Sequence, residues 1–203
     1  MSDKEVKRKL DALIVRNIGD LEASLRRAQT QIDSALNGSA WDALKATLGE
    51  RDWHFEDDRE PDDRWFAPRQ WLDKEGDADP WFRLMPLDRA NVFETWLAHY
   101  VAPADDRQKF SLLWCWHRFY VTDYKAAAEA AAVEIEAIRS LGFRQDGREL
   151  FLPIEFDPEA IARAFETGDF KEALEPIGAA ANVLSQAVEH FTSFRAQLLK
   201  KRR

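Results

Sequence analysis

Two heptad stripes, one near each end of the chain, constrain its fold more than any other feature. Ile14, Ile18, Leu21, Leu25, Ala28, Ile32 and Ala35 follow one another at intervals of 4, 3, 4, 3, 4 and 3. Ile177, Ala180, Leu184, Ala187, Phe191, Phe194 and Leu198 are spaced 3, 4, 3, 4, 3 and 4. Such spacing puts every apolar residue on one side of an α-helix, and that side must be covered. The economical arrangement packs the two stripes against each other, antiparallel. The alternative covers one of them with a second copy of the chain, a homodimer through a heptad helix.

Punctuation refines the helical ends. Gly19 lies inside the first helix and weakens it slightly. Asn37-Gly38 predicts a stop, because both residues accept the left-handed conformation. Ser39 then caps a short helix carrying Trp41, Leu44 and Leu48 and ending at Gly49. Toward the other end, Asp123 caps an alanine-rich helix, Tyr124 to Leu141. Asp146-Gly147 marks a hairpin between Phe143 and Phe156. Asp157-Pro158 opens a helix that closes at Gly168, and the second stripe follows Pro176.

The middle of the chain has a different texture. Seven of the eight tryptophans fall between residues 52 and 120: Trp53, Trp65, Trp71, Trp81, Trp96, Trp114 and Trp116. Trp53 to Phe55, Trp81 to Met85, Val92 to Val101 and Phe110 to Tyr120 read as strands, on aromatic enrichment and alternation. The fold class that follows is α+β. An aromatic-rich antiparallel sheet of about four to six strands packs against a layer of long N- and C-terminal helices. The reading is one domain over 1–203. Residues 1–49 are helical, 50–120 are strand-rich, and 121–203 hold a helix, a hairpin and further helices.

Charge is equally uneven. The 203 residues hold 29 Lys and Arg against 37 Asp and Glu, a formal charge of −8. Residues 50–79 alone carry twelve acids and five bases, hence −7, and the densest run is Glu56-Asp57-Asp58-Arg59-Glu60-Pro61-Asp62-Asp63. Such a block repels phosphate and attracts cations or basic surfaces. Direct nucleic-acid binding by the body is disfavoured, since it needs a clustered basic face. Arg195, Lys200, Lys201, Arg202 and Arg203 form a basic tail suited to the negative end of a helix dipole. One cysteine, Cys115, excludes a disulfide framework and fits a reducing, cytoplasmic setting. No run is long and apolar enough to span a membrane, and the first residues lack the apolar core of a signal peptide.

Catalytic constellations are hard to assemble. His54 with Glu56, Asp57 and Asp58 has no recognised ligand spacing, and His99 and His117 fall on expected strands. Asp88 and Glu94 suit a metal-dependent hydrolase or nuclease, but Trp96 stands where the lysine of a Glu-x-Lys pair belongs, so that alternative implies a degenerate enzyme. Cys115 and His117 share a face without an orienting partner. No motif calls for a cofactor or a resident metal. The stronger reading is a non-enzymatic, cytosolic macromolecule-binding protein: an adaptor, an antitoxin or immunity-type factor, or an inhibitor. Its binding face comprises Glu56, Asp57, Asp58, Asp62, Asp63, Trp65, Arg69, Trp71 and Trp81. Carboxylates steer a basic protein partner, and partly exposed indoles and an arginine anchor it.

Overall fold

In a computed structural model the described residues are 3–50, 52–57, 63–87, 93–102, 105–116 and 123–201. Helix α1, Asp3–Arg27, leads through one π-helical turn, Ala28–Ile32, into helix α2, Asp33–Leu48. The expected stop at Asn37-Gly38 is overturned, and Ser39 sits mid-helix rather than at a cap. Leu36, Ala40 and Leu44 recur at four-residue intervals and are wholly buried, so burial of this row outweighs the weak helix propensity between them. Gly49 does end the helix, at φ 77°.

The sheet has six antiparallel strands in the order β1-β2-β3-β4-β6-β5. They are β1 Trp53–Glu56, β2 Trp65–Pro68, β3 Trp81–Leu84, β4 Ser111–Cys115, β5 Arg144–Asp146 and β6 Glu149–Pro153. Register places Phe55 opposite Phe66, Phe66 opposite Phe82, Phe82 opposite Trp114 and Trp114 opposite Leu150. Paired residues share a face, so one aromatic row crosses four strands and ends on Leu150 of the fifth. The α+β architecture is therefore as expected, but β2 was not anticipated as a strand.

Two further expectations change. Val92 to Val101 is not a strand: its described part contains helix α3, Trp96–Val101. Thr95 caps it from within, accepting from the Ala98 amide, while the buried Asp33 carboxylate accepts from the Trp96 and Leu97 amides at 2.9 and 2.7 Å. A capping group 63 residues away has no local signature. The helix expected over Tyr124 to Leu141 breaks at Ala131 (φ −112°, ψ 24°) into α4, Tyr124–Ala130, and α5, Ala132–Ser140. Helix α6, Pro158–Thr167, and helix α7, Glu175–Leu199, complete the chain. Among the described residues no helix is long and apolar enough to cross a membrane.

The second heptad stripe is the spine of the core. All seven of its members, Ile177 through Leu198, are buried in α7. Phe191 meets Phe82, Trp114 and Phe143 with ring centroids 5.1–5.3 Å apart, and Phe194 lies 4.9 Å from Trp114. Helices α2, α4 and α5 flank α7. Close approach to α2 needs a missing side chain, since a Cβ on Gly178 would stand 3.3 Å from the Thr47 hydroxyl. The first stripe does not meet the second. Ile14, Ile18, Leu21 and Leu25 are all exposed, and the partner of α7 is α2 instead.

Candidate functional site

The proposed face is built on the open edge of the sheet, where β1 is the outermost strand. Glu56 ends that strand opposite Trp65 and is half-buried. Asp57 follows it and turns back onto α2. One carboxylate oxygen accepts from the Trp41 indole at 2.5 Å, and the other accepts from the Lys45 ammonium at 2.7 Å. Lys45 also lies 3.1 Å from Glu50. Burial alone would raise the Asp57 pKa, but the hydrogen bonds from Lys45 and Trp41 outweigh it and hold the group below the ordinary carboxylate value. The same bond to Asp57 raises Lys45 against a smaller opposing burial effect. Asp57 is thus a clasp between the acidic segment and the helix layer as well as a surface charge.

Asp58 and Asp62 lie outside the described residues. Asp63 is exposed and stands 3.9 Å from Arg83. Downstream, Asp73, Glu75 and Asp77 are exposed on a tight turn, in which the Asp73 carboxylate accepts from the Glu75 and Asp77 amides. Arg69 ties the end of β2 back to the start of the acidic segment. Its side chain donates to the Glu50 carbonyl at 2.8 Å and its amide to the Asp52 carbonyl at 3.0 Å.

The indoles expected beside these acids require a correction. Trp65 and Trp71 are 7% and 1% exposed. Strand β2 explains the first: it lies between β1 and β3, and all four of its residues are buried. Trp71 belongs to the core. Its ring stacks 5.6 Å from Phe82, its N–H donates to the Thr192 hydroxyl at 3.0 Å, and Arg195 of α7 donates to its carbonyl at 3.0 Å. Arg195 also donates to the Asp79 carbonyl, so it pins the acidic segment to α7 rather than serving as part of a dipole-facing tail. Trp81 alone of the three is half-buried, with the Arg83 guanidinium 6.0 Å from its ring.

Other candidates do not converge. Asp88 and His117 lie outside the described residues. Glu94 is exposed, and its backbone carbonyl accepts from Gln29. His99 is on α3 rather than a strand, with Nδ1 2.6 Å from the Gln108 carbonyl. Cys115 is half-buried, with Sγ 3.8 Å from the Leu113 carbonyl. Among the described residues no three or more His, Cys, Asp or Glu side chains group as metal ligands. The aromatic crevice bounded by Asn37, Trp41, Arg64, Leu84, Trp96 and Phe110 holds about 20 Å³, room for one water molecule rather than a sugar ring.

The stripe that the sequence places on the first helix forms the largest apolar surface among the described residues, and it reaches further toward the N-terminus than expected. Helix α1 is exposed along nearly its whole length, and Val6, Leu10, Leu13 and Val15 add to the four stripe residues already named. The signal was available: Val6 and Leu10 lie at four-residue intervals upstream of Ile14, and Leu13 stands beside them on the same side of the helix. Comparison of the chain with known protein families, with curated proteins and with solved structures finds no match to any of them.

Proposed function

We propose that the protein is a non-enzymatic, cytosolic macromolecule-binding protein whose acidic edge recognises a basic protein partner, in the manner of an adaptor, an immunity-type factor or an inhibitor. The observation that supports it is the exposure of Asp52, Asp57, Asp63, Asp73, Glu75 and Asp77 around a scaffold that Trp65 and Trp71 anchor in the core and Arg69 ties to the Glu50 and Asp52 carbonyls. In this reading the indoles serve differently than expected. Trp65 and Trp71 fix the platform, and Trp81 is the one half-exposed anchor. A rigid display of charge speeds encounter with a basic surface and loses little ordering entropy on binding.

The test uses the full chain and a variant with Asp52→Ser, Asp63→Ser, Glu75→Gln and Asp77→Ser. These positions are chosen because Asp57 and Asp73 hold local structure. Immobilised wild type is expected to retain a basic protein from native cell extract, and to release it near 1 M salt, where the screening length is about 3 Å. The variant is expected to lose that protein while keeping the wild-type melting curve. Identical, salt-insensitive capture by both chains overturns the reading.

A further inference from the structure

The apolar stripe of α1 is arranged so that a second copy of the same helix can cover it. Seven of its exposed aliphatics and one asparagine fall into two rows at four-residue spacing: Val6, Leu10, Ile14 and Ile18, then Leu13, Asn17, Leu21 and Leu25. Rows of this kind are the ridges by which two helices interlock. Reversing the second row superimposes it on the first: Val6 answers Leu25, Leu10 answers Leu21, Ile14 answers Asn17, and Ile18 answers Leu13. Every one of these pairs is centred on the same point, between Val15 and Arg16. A palindrome of this kind is what an isologous two-fold contact requires, because each residue must meet its counterpart in reverse order. The helix bends close to that centre, where Asn17 has φ −118° and ψ 15° and its side-chain amide donates to the Leu13 carbonyl at 2.7 Å.

Charge leans the same way. Antiparallel pairing about the Val15–Arg16 centre sets Lys9 opposite the partner copy's Glu22 and Glu5 opposite its Arg26, against one acid pair, Asp11 with Asp20, and one base pair, Lys4 with Arg27. Parallel pairing in register sets every charged residue opposite its own copy, so each such pair is of like sign. The area also suffices. Seven aliphatics with about half their surface exposed offer roughly 600 Å² per copy and 1,200 Å² for the pair, above the roughly 1,000 Å² that a specific interface needs. The stripe carries no aromatic residue, as the first in the chain is Trp41, whereas helices that lie on membranes favour Trp and Phe on the apolar face.

We infer that α1 is a self-association arm, and that two copies of the chain pair through it antiparallel, with the two-fold axis beside Val15 and Arg16. This surface is separate from the acidic edge and stands or falls without it.

Sedimentation equilibrium of the full chain at micromolar concentration is expected to give a particle of twice the 23.5 kDa chain mass. Leu10→Glu with Leu21→Glu is expected to give only monomer. All the tryptophans lie outside α1, so unchanged tryptophan fluorescence and an unchanged melting midpoint would show that the body of this variant still folds. Direction is read by cysteine pairing in a Cys115→Ser background. Ile14→Cys chains are expected to crosslink to one another, and Val6→Cys chains to crosslink with Leu25→Cys chains but not among themselves. A monomeric wild type, crosslinking among Val6→Cys chains alone, or a monomer that instead sediments with phosphatidylserine vesicles would each overturn the inference.

Discussion

Helices α1 and α7 are each 25 residues long, and each carries a heptad stripe, yet they have opposite fates. On α7 every stripe residue is buried against the sheet or a neighbouring helix. On α1 the aliphatics from Val6 to Leu25 are 41–74% exposed. The difference lies in what each stripe is made of. Helix α7 alternates small residues with Phe191 and Phe194, so Ala180, Ala181 and Ala187 allow close helix contact while the phenyl rings reach into the aromatic row of the sheet. The stripe of α1 is aliphatic but for Asn17, with side chains of similar size, which suits another helix like itself better than a sheet of indoles. Periodicity tells that a face is to be covered; side-chain size and shape tell by what.

The comparison can be broken most directly at Phe191. Phe191→Ala removes a ring in contact with three others and is expected to cost about 3–5 kcal/mol of unfolding free energy, read from urea titration of tryptophan fluorescence. A loss under 1 kcal/mol would mean that α7 is not the spine described. Asp33, at the joint between the exposed and buried parts of the N-terminal helices, comes next. Asp33→Ala leaves two amides of α3 without their acceptor and is expected to cost about 1–3 kcal/mol. Asp33→Asn, which can satisfy one of them, should recover part of that.

A smaller effect sharpens the view of α2 as a boundary element. Asp57 titrates below its ordinary value of 3.8 in the folded chain. Its contribution is therefore complete above the unfolded-state pKa and is lost as pH falls through the lowered folded value. Its side chain is 46% exposed, so Asp57→Asn should cost under about 1 kcal/mol at neutral pH, with the gap to wild type closing below pH 3.8. Lys45, raised from 10.5, has the opposite sign: its contribution is complete below that value and fades only as pH climbs above it. The smallest effect is expected on α1 itself. Val15 is 74% exposed and off both rows, and Val15→Ala should change body stability by less than about 0.5 kcal/mol.

Much of the architecture was legible in the sequence because it rests on local signals. Asp157-Pro158, Gly168, Asp146-Gly147 and the stripe of α7 all specify elements through neighbours a few residues away. The failures share a cause. Asp33 caps α3 from a distant part of the chain, so Val92 to Val101 looked like one more aromatic strand. Trp65 to Pro68 looked like an exposed, proline-broken segment because nothing nearby revealed that β1 and β3 would enclose it. For the candidate face, Asp57 and Asp63 were legible as exposed charge, but the partners that hold Asp57, Trp41 and Lys45, lie on a helix the local sequence does not point to. The indoles beside them were not legible, because tryptophan serves equally in a core and at an interface, and only tertiary packing decides between the two.

The π-helical turn between α1 and α2 has its own consequence. It accommodates one residue more than an α-helical turn would, and each residue turns a helix by about 100°. Because the turn takes up its extra residue within itself, deleting one residue from Ala28–Ile32 would restore α-helical winding and leave the N-terminal arm near its present bearing, whereas deleting one from an α-helical stretch would swivel everything upstream by about 100°. The greasy side of the arm thus keeps its compass bearing relative to the acidic edge because the surplus residue is absorbed in a single turn, and the relative pose of two joined copies would follow it.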